Sequence, residues 1–414
     1  MRVLFLPAYF TPENMSSTPH DTNLHEDLAA AEIEMVVYTP VPTRNVSKEV
    51  RTEYKKIKLE EAYNGLMTIH RFNLLQEGKN PVGRAIRYTL QCIKQINRGL
   101  FYKDAKKCDV LYVDSTPPIQ GAMAAIIKIF RHIPIVYKLG DVFPDSMVGA
   151  GLTTRNSMIY KIGRKIENFT YKHADKIIVV SEDIKNNLIA KGVTHQKIEV
   201  VYDWVDTKNL YPVKKEDNSL YDAFCIDKEK FNVVYAGNLG NAQNISILIE
   251  AAKRLRDNPI IQFIIFGSGD VEDEVRSNID RCQLNNVKLF PLQPPQFVPQ
   301  VYSLGDACIV SCKPGFGGHA MPSKTWTIMA CARPVIASFD EGELEQTLTQ
   351  GGTGLFSKAG DMDSFVDNIC YMEQNRKLCE GMGAKGRLYV ESHLSRVSAT
   401  SKIISLMQQV IDEK

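Results

Sequence analysis

Short runs of apolar residues alternate with longer segments of helical periodicity from one end of the chain to the other. This alternation is typical of parallel β-sheets that are covered by α-helices. In the first half, the pattern predicts strands at residues 3–6, 35–38, 68–72, 110–113, 133–137 and 176–180. In the second half, it predicts strands at residues 231–236, 261–266, 287–291, 307–311 and 334–337, with helices such as 245–256 between them.

The chain changes character once, near residue 200. An apolar stretch at 200–205 is followed by TKNLYPVKKEDNSLYDAF, which is polar, rich in lysine and without a clear period. We therefore predict a first domain at 1–206, a linker at 207–230 and a second domain at 231–394. The predicted fold class is α/β, with two doubly wound, Rossmann-like domains facing a cleft. The cleft is the expected ligand site because such sheets bind at the carboxyl ends of their strands.

The composition narrows the class of protein. A chain of 414 residues with 44% hydrophobic content can bury two cores. Its net charge of +2 gives no global basic excess, so we expect no nucleic-acid partner, although local patches stay open. The nine cysteines are scattered, and Cys308 and Cys312 lack the second pair that a zinc site needs, so we expect reduced thiols in a cytoplasmic protein. MRVLFLPAYF predicts a buried strand rather than a signal peptide, and no segment approaches the ~20 apolar residues of a membrane span.

The segment GHAMPSKTWTIMACARPVIAS, residues 318–338, carries a candidate anion site. Pro322 suits the first turn of a helix, so the next free amides, those of Ser323 and Lys324, point out of the helix N-terminus. These amides, the positive end of the helix dipole and the Lys324 ammonium together favour a phosphate. The alternative is an ordinary glycine-rich turn, capped helix and strand. Close approach of a ligand is permitted just upstream by Gly315, Gly317 and Gly318.

Three further segments that follow predicted strands carry candidate residues. Gly237 and Gly240 could bring backbone amides to a pyrophosphate, and Gly267 and Gly269 form a second such turn, but both pairs also suit plain strand-to-helix turns. Asp141 places a carboxylate at the end of a predicted strand, facing the expected cleft. Its alternative role is that of a turn or cap residue.

Residues 82–107 form an amphipathic segment. The apolar positions Val82, Ile86, Leu90, Ile93, Ile96 and Leu100 fall at near-helical spacing. The polar face is basic and carries Arg84, Arg87, Lys94, Arg98, Lys103, Lys106 and Lys107. Such a helix suits an anionic membrane surface, and the alternative is a core helix with a solvated basic face.

Several of these segments resemble family-four glycosyltransferases, enzymes of the GT-B fold that transfer a sugar from a nucleotide diphosphate with retention of configuration. PSKTWTIMACARPVIAS resembles the family segment PSK-x-x-E-x-M-A-x-G-x-P-V-I-A. Further similar segments are YAGNLGNAQNISILIEAA from Tyr235, FIIFGSGD from Phe263, VVYDWVD from Val200 and KLGDVFPDSMVGAGL from Lys138. The chain looks most similar to the N-acetylfucosamine-type transferases of O-antigen and capsule assembly.

The resemblance implies a set of site residues. It implies Asp141 and His319 as catalytic residues and, in the loop at 9–23, Glu13, Ser16, Ser17 and His20 as acceptor-binding residues. It also implies that the C-terminal helix at about 395–414 packs back on the first domain, and that neither a metal nor another cofactor is needed. The implied donor-binding residues are Gly237, Asn238, Gly240, Gln243, Gly267, Gly269, Phe290, Leu292, Met321, Pro322, Ser323, Lys324 and Thr327.

The sequence departs from the family pattern where the family carries charge. His319 and Thr327 occupy the positions of two glutamates, of which the second contacts the donor ribose. Asn238 and Gln243 occupy the positions of an arginine and a lysine that contact the diphosphate. Lys324 thereby becomes the main cation for the diphosphate, and ribose affinity should be weaker. Ala332 replaces a helix-ending glycine, which costs roughly 1 kcal/mol if the left-handed conformation is kept.

The expected function is that of a retaining, UDP-sugar-dependent glycosyltransferase. We expect front-face displacement, in which Lys324 and the helix amides stabilise the leaving diphosphate. The expected partners are a nucleotide-sugar donor and a glycan or polyprenyl-diphosphate-linked acceptor, and the expected location is the cytoplasm or the inner face of the membrane. The alternatives are a nucleotide-sugar 2-epimerase or sugar-phosphate synthase on the same fold, and a non-catalytic subunit that scaffolds a partner transferase.

Overall fold

The computed structural model describes residues 1–13, 15, 17–78, 80–149, 151–317 and 321–414, and the chain divides into two compact units. The first unit comprises Met1–Tyr202 and Arg396–Lys414, and the second comprises Asp203–Ser395. The segment 207–230, predicted as a linker, belongs to the second unit. There the Asn218 amide donates to the Gln300 carbonyl at 2.8 Å, and the Tyr221 hydroxyl donates to the Leu304 carbonyl at 3.0 Å.

The first unit is built on an eight-stranded sheet. Its strands, numbered along the chain, are β1 (Arg2–Phe5), β2 (Glu34–Pro40), β3 (Leu59–Ala62), β4 (Met67–Phe72), β5 (Val110–Asp114), β6 (Ile135–Leu139), β7 (Lys176–Val179) and β8 (Ile198–Val200). Their order in the sheet is β3-β4-β2-β1-β5-β6-β7-β8. All neighbours are parallel except β3 and β4, which pair antiparallel at one edge.

Helices cover both this sheet and its edges. They are α1 (Thr18–Ala30), α2 (Lys48–Tyr54), α3 (Pro81–Phe101), α4 (Lys103–Lys106), α5 (Gln120–Arg131), α6 (Asp145–Gly149), α7 (Met158–His173), α8 (Glu182–Ala190) and, at the end of the chain, α17 (Arg396–Asp412). Short 3₁₀ turns lie at Tyr63–Gly65 and His195–Lys197. The last helix α17 joins the first unit through Arg396, whose guanidinium donates to the Asp27 carboxylate of α1 at 2.6 Å.

The second unit has a six-stranded, fully parallel sheet with the order β11-β10-β9-β12-β13-β14. Its strands are β9 (Phe231–Asn238), β10 (Ile261–Ser268), β11 (Val287–Phe290), β12 (Ala307–Ser311), β13 (Val335–Phe339) and β14 (Gly354–Lys358). Its helices are α9 (Leu220–Ala223), α10 (Ser246–Arg254), α11 (Glu272–Arg281), α12 (Val298–Ser303), α13 (Ser323–Ala330), α14 (Glu343–Gly351), α15 (Met362–Gln374) and α16 (Arg376–His393), with 3₁₀ turns at Asn241–Gln243 and Pro295–Phe297.

The strand predictions agree with the structure where the strands are buried on both faces. Near-continuous apolar runs such as FNVVYA in β9 and IQFIIF in β10 are characteristic of central parallel strands. Three strands were missed, and each lies at an edge of its sheet. The strands β3 and β8, at the two edges of the first sheet, read LEEA and IEV, and β14, at one edge of the second sheet, reads GLFSK. Edge strands carry less of the hydrophobic signal because one side lacks a neighbour.

Helix α3 presents its apolar stripe to solvent. The residues Val82, Ile86, Leu90 and Ile93 are each between 37% and 67% exposed, and Phe101 at the end of the helix is exposed as well. The side chains turned inward are instead polar, and they include Arg87, Gln91 and Gln95. The prediction of an ordinary core helix is therefore wrong for this stripe, although Ile96 and Leu100 do pack against the core.

Hydrogen bonds explain why a polar face can be buried here. The Gln95 amide donates to the Pro7 carbonyl at 2.9 Å and accepts from the Gln120 amide at 3.1 Å. A buried amide is stable when its donors and acceptors are satisfied in this way. The exposed stripe of α3 (Val82, Ile86, Leu90, Ile93 and Phe101) is called the α3 stripe below.

Candidate active site

The strand order of the second unit reverses between β9 and β12, which are neighbours in the sheet. Ligands of doubly wound sheets bind where the order reverses, beyond the carboxyl ends of the strands. The turn after β9 and the start of α13 therefore both lie where a ligand is expected. The predicted donor residues on these two elements are brought together by the fold, as the following contacts show.

Two glycine turns are pressed against each other at this edge. Gly237 and Gly267 are paired across β9 and β10, and a Cβ atom at Gly267 would lie 2.6 Å from the Gly237 carbonyl oxygen. A Cβ atom at Gly269 would lie 2.6 Å from the Leu239 carbonyl oxygen. Gly237 and Gly269 also have positive φ angles of 141° and 153°. Side chains are therefore excluded at these positions, and the backbones of the two turns pack closely against each other.

Lys324 lies directly on the first of these turns. Its Nζ atom is 3.7 Å from the centroid of the Tyr235 ring, and a Cβ atom at Gly237 would lie 2.9 Å from it. Burial lowers the pKa of the Lys324 amine from 10.5 to about 7. Among the described residues, no ion pair to Lys324 is present. The ammonium is thus enclosed by a ring face and a glycine, without an anion to balance it.

The start of α13 adds donors to this cation. Pro322 is the N-cap residue, with φ −70° and ψ 114°, and it provides no side-chain cap. The helix therefore begins one residue later than the sequence predicts, at Ser323. The first N–H groups of any helix lack an intrahelical acceptor, so the exposed Ser323 and its neighbour present amides at this point.

At the positions where the family carries charged residues, this chain has polar residues whose side chains form local hydrogen bonds. The Asn238 side-chain amide donates to the Gln243 side-chain oxygen at 3.4 Å, and Gly240 lies against both side chains. The Thr327 hydroxyl donates to the Ser323 carbonyl at 3.4 Å, one turn back along α13. None of these three side chains carries a charge, so Lys324 supplies the positive charge among the predicted donor residues.

The remaining predicted donor residues lie at the end of β11, just after it, and just before α13. Phe290 ends β11 and packs against Phe224 and Phe266, with ring centroids 4.6 and 5.2 Å away. Leu292 follows it and is exposed, whereas Met321 is buried just before Pro322. His319, predicted as catalytic, lies outside the described residues.

The glycines upstream of α13 have a different role from the one predicted. The Gly315 and Gly317 amides donate to the two carboxylate oxygens of Asp340, at 3.0 and 2.8 Å. A Cβ atom at Gly317 would lie 2.4 Å from the Phe339 ring. These glycines allow the loop to close on β13 rather than to approach a ligand. Gly318 lies outside the described residues.

In the first unit, Asp141 lies just beyond the end of β6, as predicted. Asp141 is exposed, and it lines a small pocket of about 10 Å³ together with Ser115, Tyr137, Glu167 and Tyr171. Desolvation raises the pKa of the Asp141 carboxyl above its usual range, although hydrogen bonds from Ser146 and the Val142 amide lower it in part. A carboxyl group with a raised pKa at a strand end is suited to hold or release a proton.

The predicted acceptor loop is shorter than expected, because α1 begins at Thr18 and already contains His20. Glu13 is buried, and its carboxylate accepts the amides of Phe10, Thr43 and Arg44 at 2.7–3.2 Å. This placement indicates a structural role for Glu13 instead of contact with acceptor hydroxyls. Ser17 is exposed at the start of α1, and Ser16 lies outside the described residues.

Within the part of the chain that the structure describes, there is no group of three or more His, Cys, Asp or Glu residues that could hold a metal ion. In the same residues, no helix is both long enough and apolar enough to cross a bilayer.

Two family models match the chain, one in each half. The model described as "Glycosyltransferase Family 4" matches residues 20–209, and the model described as "Glycosyl transferases group 1" matches residues 222–389. Together with the geometry of the second sheet, they define the chain as a glycosyltransferase. It belongs to the group 1 glycosyltransferases with the GT-B fold.

Curated relatives agree with this assignment. The chain is 22% identical over 346 residues to the probable glycosyltransferase WbjE of Pseudomonas aeruginosa, covering 82% of each chain. It is also 22% identical over 227 residues to a Campylobacter jejuni enzyme, N-acetylgalactosamine-N,N'-diacetylbacillosaminyl-diphospho-undecaprenol 4-alpha-N-acetylgalactosaminyltransferase, covering 54% of this chain and 56% of the relative.

Solved structures show the same fold. Sucrose-phosphate synthase of Thermosynechococcus elongatus superposes with a TM-score of 0.77 at 16% identity, covering all of both chains. Anabaena HepE in complex with UDP superposes with a TM-score of 0.72 at 15% identity, covering 99% of this chain and all of that one.

Sequence reasoning missed two residues that shape the site. Tyr235 provides the ring beneath Lys324, and Asp340 fixes the loop that leads to α13. Tyr235 appears in the sequence only as one more apolar position of a buried strand, and its hydroxyl bonds the Asn238 carbonyl at 2.7 Å. Asp340 follows β13 directly, at a carboxyl strand end, and that position was the available signal.

Proposed function

We propose that this glycosyltransferase takes its sugar from a UDP-sugar, transfers it with retention of configuration, and extends a lipid-linked glycan at a membrane surface. The observation that carries the proposal is the Lys324 ammonium, enclosed by Gly237 and the Tyr235 ring at the start of α13. A half-buried cation without an anionic partner is unfavourable, and the diphosphate of a nucleotide sugar supplies the missing charge.

The diphosphate fits this position for two reasons. The first-turn amides of α13 and the dipole of the helix act in the same direction as the Lys324 charge. The Lys324 Nζ atom also lies against Gly237, so an oxygen atom bound by the ammonium would be near the backbone of the turn after β9. Uridine as the base is supported by HepE, a structural neighbour that was solved with UDP.

For the reaction, we assign the leaving-group role to Lys324 and the helix amides, which would stabilise the charge that develops on the diphosphate. We assign Asp141 the role of an acid/base group or a ligand of the donor sugar, because its pKa is raised by desolvation. The predicted role of His319 is kept as part of the proposal. No metal is assigned a role, and activity in the presence of EDTA tests that part of the proposal.

The proposed lipid-linked acceptor and the proposed membrane location support each other. The Campylobacter relative is named for a diphospho-undecaprenol acceptor, which is a lipid-linked glycan. The α3 stripe exposes five large apolar side chains, and exposed lysines (Lys103, Lys106 and Lys107) follow it at the end of the helix. An apolar stripe next to positive charge fits an anionic membrane surface.

A donor screen tests the proposal. Purified protein is incubated with a panel of UDP-, GDP- and TDP-sugars and a synthetic polyprenyl diphosphate sugar, with and without EDTA, and the products are identified by mass. The panel includes N-acetylfucosamine-type donors because of the resemblance noted above. We expect one UDP-sugar to add one sugar residue to the acceptor, and we expect NMR of the product to show retention of configuration.

The same screen separates the alternatives. Conversion of the UDP-sugar without any acceptor would identify an epimerase, and transfer only to a sugar phosphate would identify a synthase. Absence of turnover together with absence of UDP binding at millimolar nucleotide would contradict the proposal and favour a scaffold subunit.

A further inference from the structure

Three arginines surround one glutamate in the first unit, at the beginning of α3. Arg44, Arg84 and Arg87 each approach the Glu77 carboxylate, with N–O distances of 3.8, 3.3 and 3.7 Å. The Tyr9 hydroxyl donates to the same carboxylate at 2.7 Å. We call Tyr9, Arg44, Glu77, Arg84 and Arg87 the arginine cluster. Arg84 and Arg87 belong to the basic face predicted for α3, and Tyr9 begins the predicted acceptor loop, whereas Arg44 and Glu77 were not predicted as binding residues.

The arginine cluster carries more positive than negative charge. Glu77 is one carboxylate among three guanidiniums, and the buried Glu13, which also acts on Arg87, accepts three backbone amides of its own. At least one positive charge is therefore left over. The Arg44 and Arg84 side chains are 40% and 41% exposed, so the surplus faces solvent.

Arg87 is held inside the protein, whereas Arg44 and Arg84 reach solvent. Arg87 is 1% exposed, and it donates from Nε to the Leu75 carbonyl at 3.1 Å and from Nη2 to the Thr43 hydroxyl at 2.8 Å. Its Nη1 atom and Nε of Arg84 both face Glu77, at 3.7 and 3.3 Å. The exposed guanidiniums of Arg44 and Arg84 are therefore the ones that can reach a phosphate, whose oxygens match their forked shape.

The cluster has a defined position relative to the α3 stripe. At 3.6 residues per turn, the stripe residues fall within an arc of about 100°, whereas Arg84 lies about 200° around the axis from Val82. A helix with its side chains is about 10–12 Å across. When the stripe rests on a bilayer, the cluster therefore lies about one helix diameter above that contact.

We propose that the arginine cluster binds the phosphate group of a membrane-anchored lipid, and that this lipid is the polyprenyl diphosphate of the acceptor. The inference rests on the proposed function. A diphosphate between a lipid and a sugar projects from the bilayer, as the height of the cluster requires. Tyr9 also begins the predicted acceptor loop, which puts the cluster next to the place where acceptor contacts were expected. A phospholipid headgroup offers the same phosphate chemistry and is the other possible source.

Vesicle flotation of the full chain tests this site. Three vesicle types are compared: phosphatidylcholine alone, phosphatidylcholine with about 20 mol% phosphatidylglycerol, and phosphatidylcholine with about 1 mol% undecaprenyl diphosphate. The test variant is Arg44→Gln/Arg84→Gln. Its matched control is Lys161→Gln/Lys165→Gln, which removes two exposed positive charges from α7.

We expect the arginine variant to lose about fivefold in partitioning per residue removed on the diphosphate vesicles, and the lysine control to bind like the wild type. Arg84→Lys keeps the charge but not the fork, and it should recover only part of the loss. A loss confined to phosphatidylglycerol vesicles would retain the phosphate site and identify the headgroup as its ligand.

Equal partitioning of the wild type and the arginine variant on both anionic vesicles would overturn the proposal, as would an equal loss in the lysine control. UDP titration of the same variants keeps the two proposals apart. The arginine variant should bind UDP like the wild type. Failure of the wild type to bind UDP would remove the proposed donor site and leave the vesicle result to be judged by itself.

Discussion

The ammonium nitrogen of Lys324 lies 3.7 Å from the centroid of the Tyr235 ring. This contact joins the first turn of α13 to a residue inside β9, and these two elements are far apart in the sequence. The ring face offers the ammonium a weak cation–π attraction, which does not replace a full counter-charge. The arrangement leaves the ammonium prepared for an anion.

The first prediction concerns the uptake of protons when UDP binds. Burial lowers the pKa of Lys324 to about 7, and a bound diphosphate should raise it again because it favours the ammonium. Above pH 7 the free protein therefore holds a neutral amine where the complex holds a charged one. When UDP binds at pH ~7.5, Lys324 takes up about three quarters of a proton, and the affinity for UDP falls as the pH rises.

Calorimetry of UDP binding in buffers with different ionisation enthalpies measures this uptake directly. Lys324→Met is the control. This variant lacks the titrating amine, so the proton uptake caused by Lys324 should be absent. The same uptake in the wild type and in Lys324→Met would show that another group is responsible.

The second prediction concerns stability without ligand. The unfolded chain binds a proton at Lys324 up to the ordinary pKa of 10.5, whereas the folded protein releases it near 7. Holding the amine in this site is therefore unfavourable at neutral pH, and the penalty disappears as the pH rises toward 10.5. Lys324→Met should raise the free energy of unfolding at pH 7 by about 1–3 kcal/mol. Urea unfolding at pH 7 and 10 measures the difference, which should be smaller at pH 10.

The third prediction separates binding from catalysis. Asp141→Asn keeps the size of the side chain and one acceptor oxygen but removes its charge and its raised pKa. We expect sugar transfer to slow by roughly 10²–10⁴-fold, the range for general acid–base groups. UDP affinity should stay unchanged. Turnover at the wild-type rate would remove Asp141 from the chemistry, and Ser146→Ala serves as a control that alters only its hydrogen bond.

The fourth prediction concerns the end of α13. Ala332 has a φ angle of 52°, so the left-handed conformation is kept although the glycine is absent. Ala332→Gly should stabilise the protein by about 1 kcal/mol, because glycine has no Cβ penalty in this region. Ala330→Gly, inside the same helix, should destabilise it by a similar amount. Thermal unfolding of both variants checks the sign, and a loss of stability in Ala332→Gly would contradict this account.

Much of the fold and the centre of the site could be predicted from sequence. Buried parallel strands such as β9 and β10 are apolar along their whole length, and Lys324 stands just inside a helix that follows Pro322, which points to an anion site. Periodicity identified the apolar stripe of α3 but not the side that faces solvent, because the buried face is held by amide hydrogen bonds of Gln95. Contacts between distant segments, such as Tyr235 with Lys324, are set by strand order and leave no local pattern.

The roles of loop residues leave little trace in the sequence. Glu13 is a carboxylate in a predicted binding loop, yet the amides of Thr43 and Arg44 donate to its Oε1 atom and the Phe10 amide donates to its Oε2 atom. The Asp340 carboxylate likewise accepts hydrogen bonds from the backbone amides of Gly315 and Gly317. Backbone donors have no signature in the sequence, so side chains that satisfy them cannot be told from side chains that meet a ligand.

The central claim is that Lys324 binds the diphosphate of the donor. A calorimetric titration of UDP into the wild type and into Lys324→Ala at pH 7 tests it most directly, with Lys358→Ala as a control for loss of an exposed charge on the same unit. We predict that Lys324→Ala weakens UDP binding by about 1.5–3 kcal/mol, the range for a hydrogen bond to a charged group, and that Lys358→Ala binds like the wild type. Unchanged UDP affinity in Lys324→Ala would contradict the account.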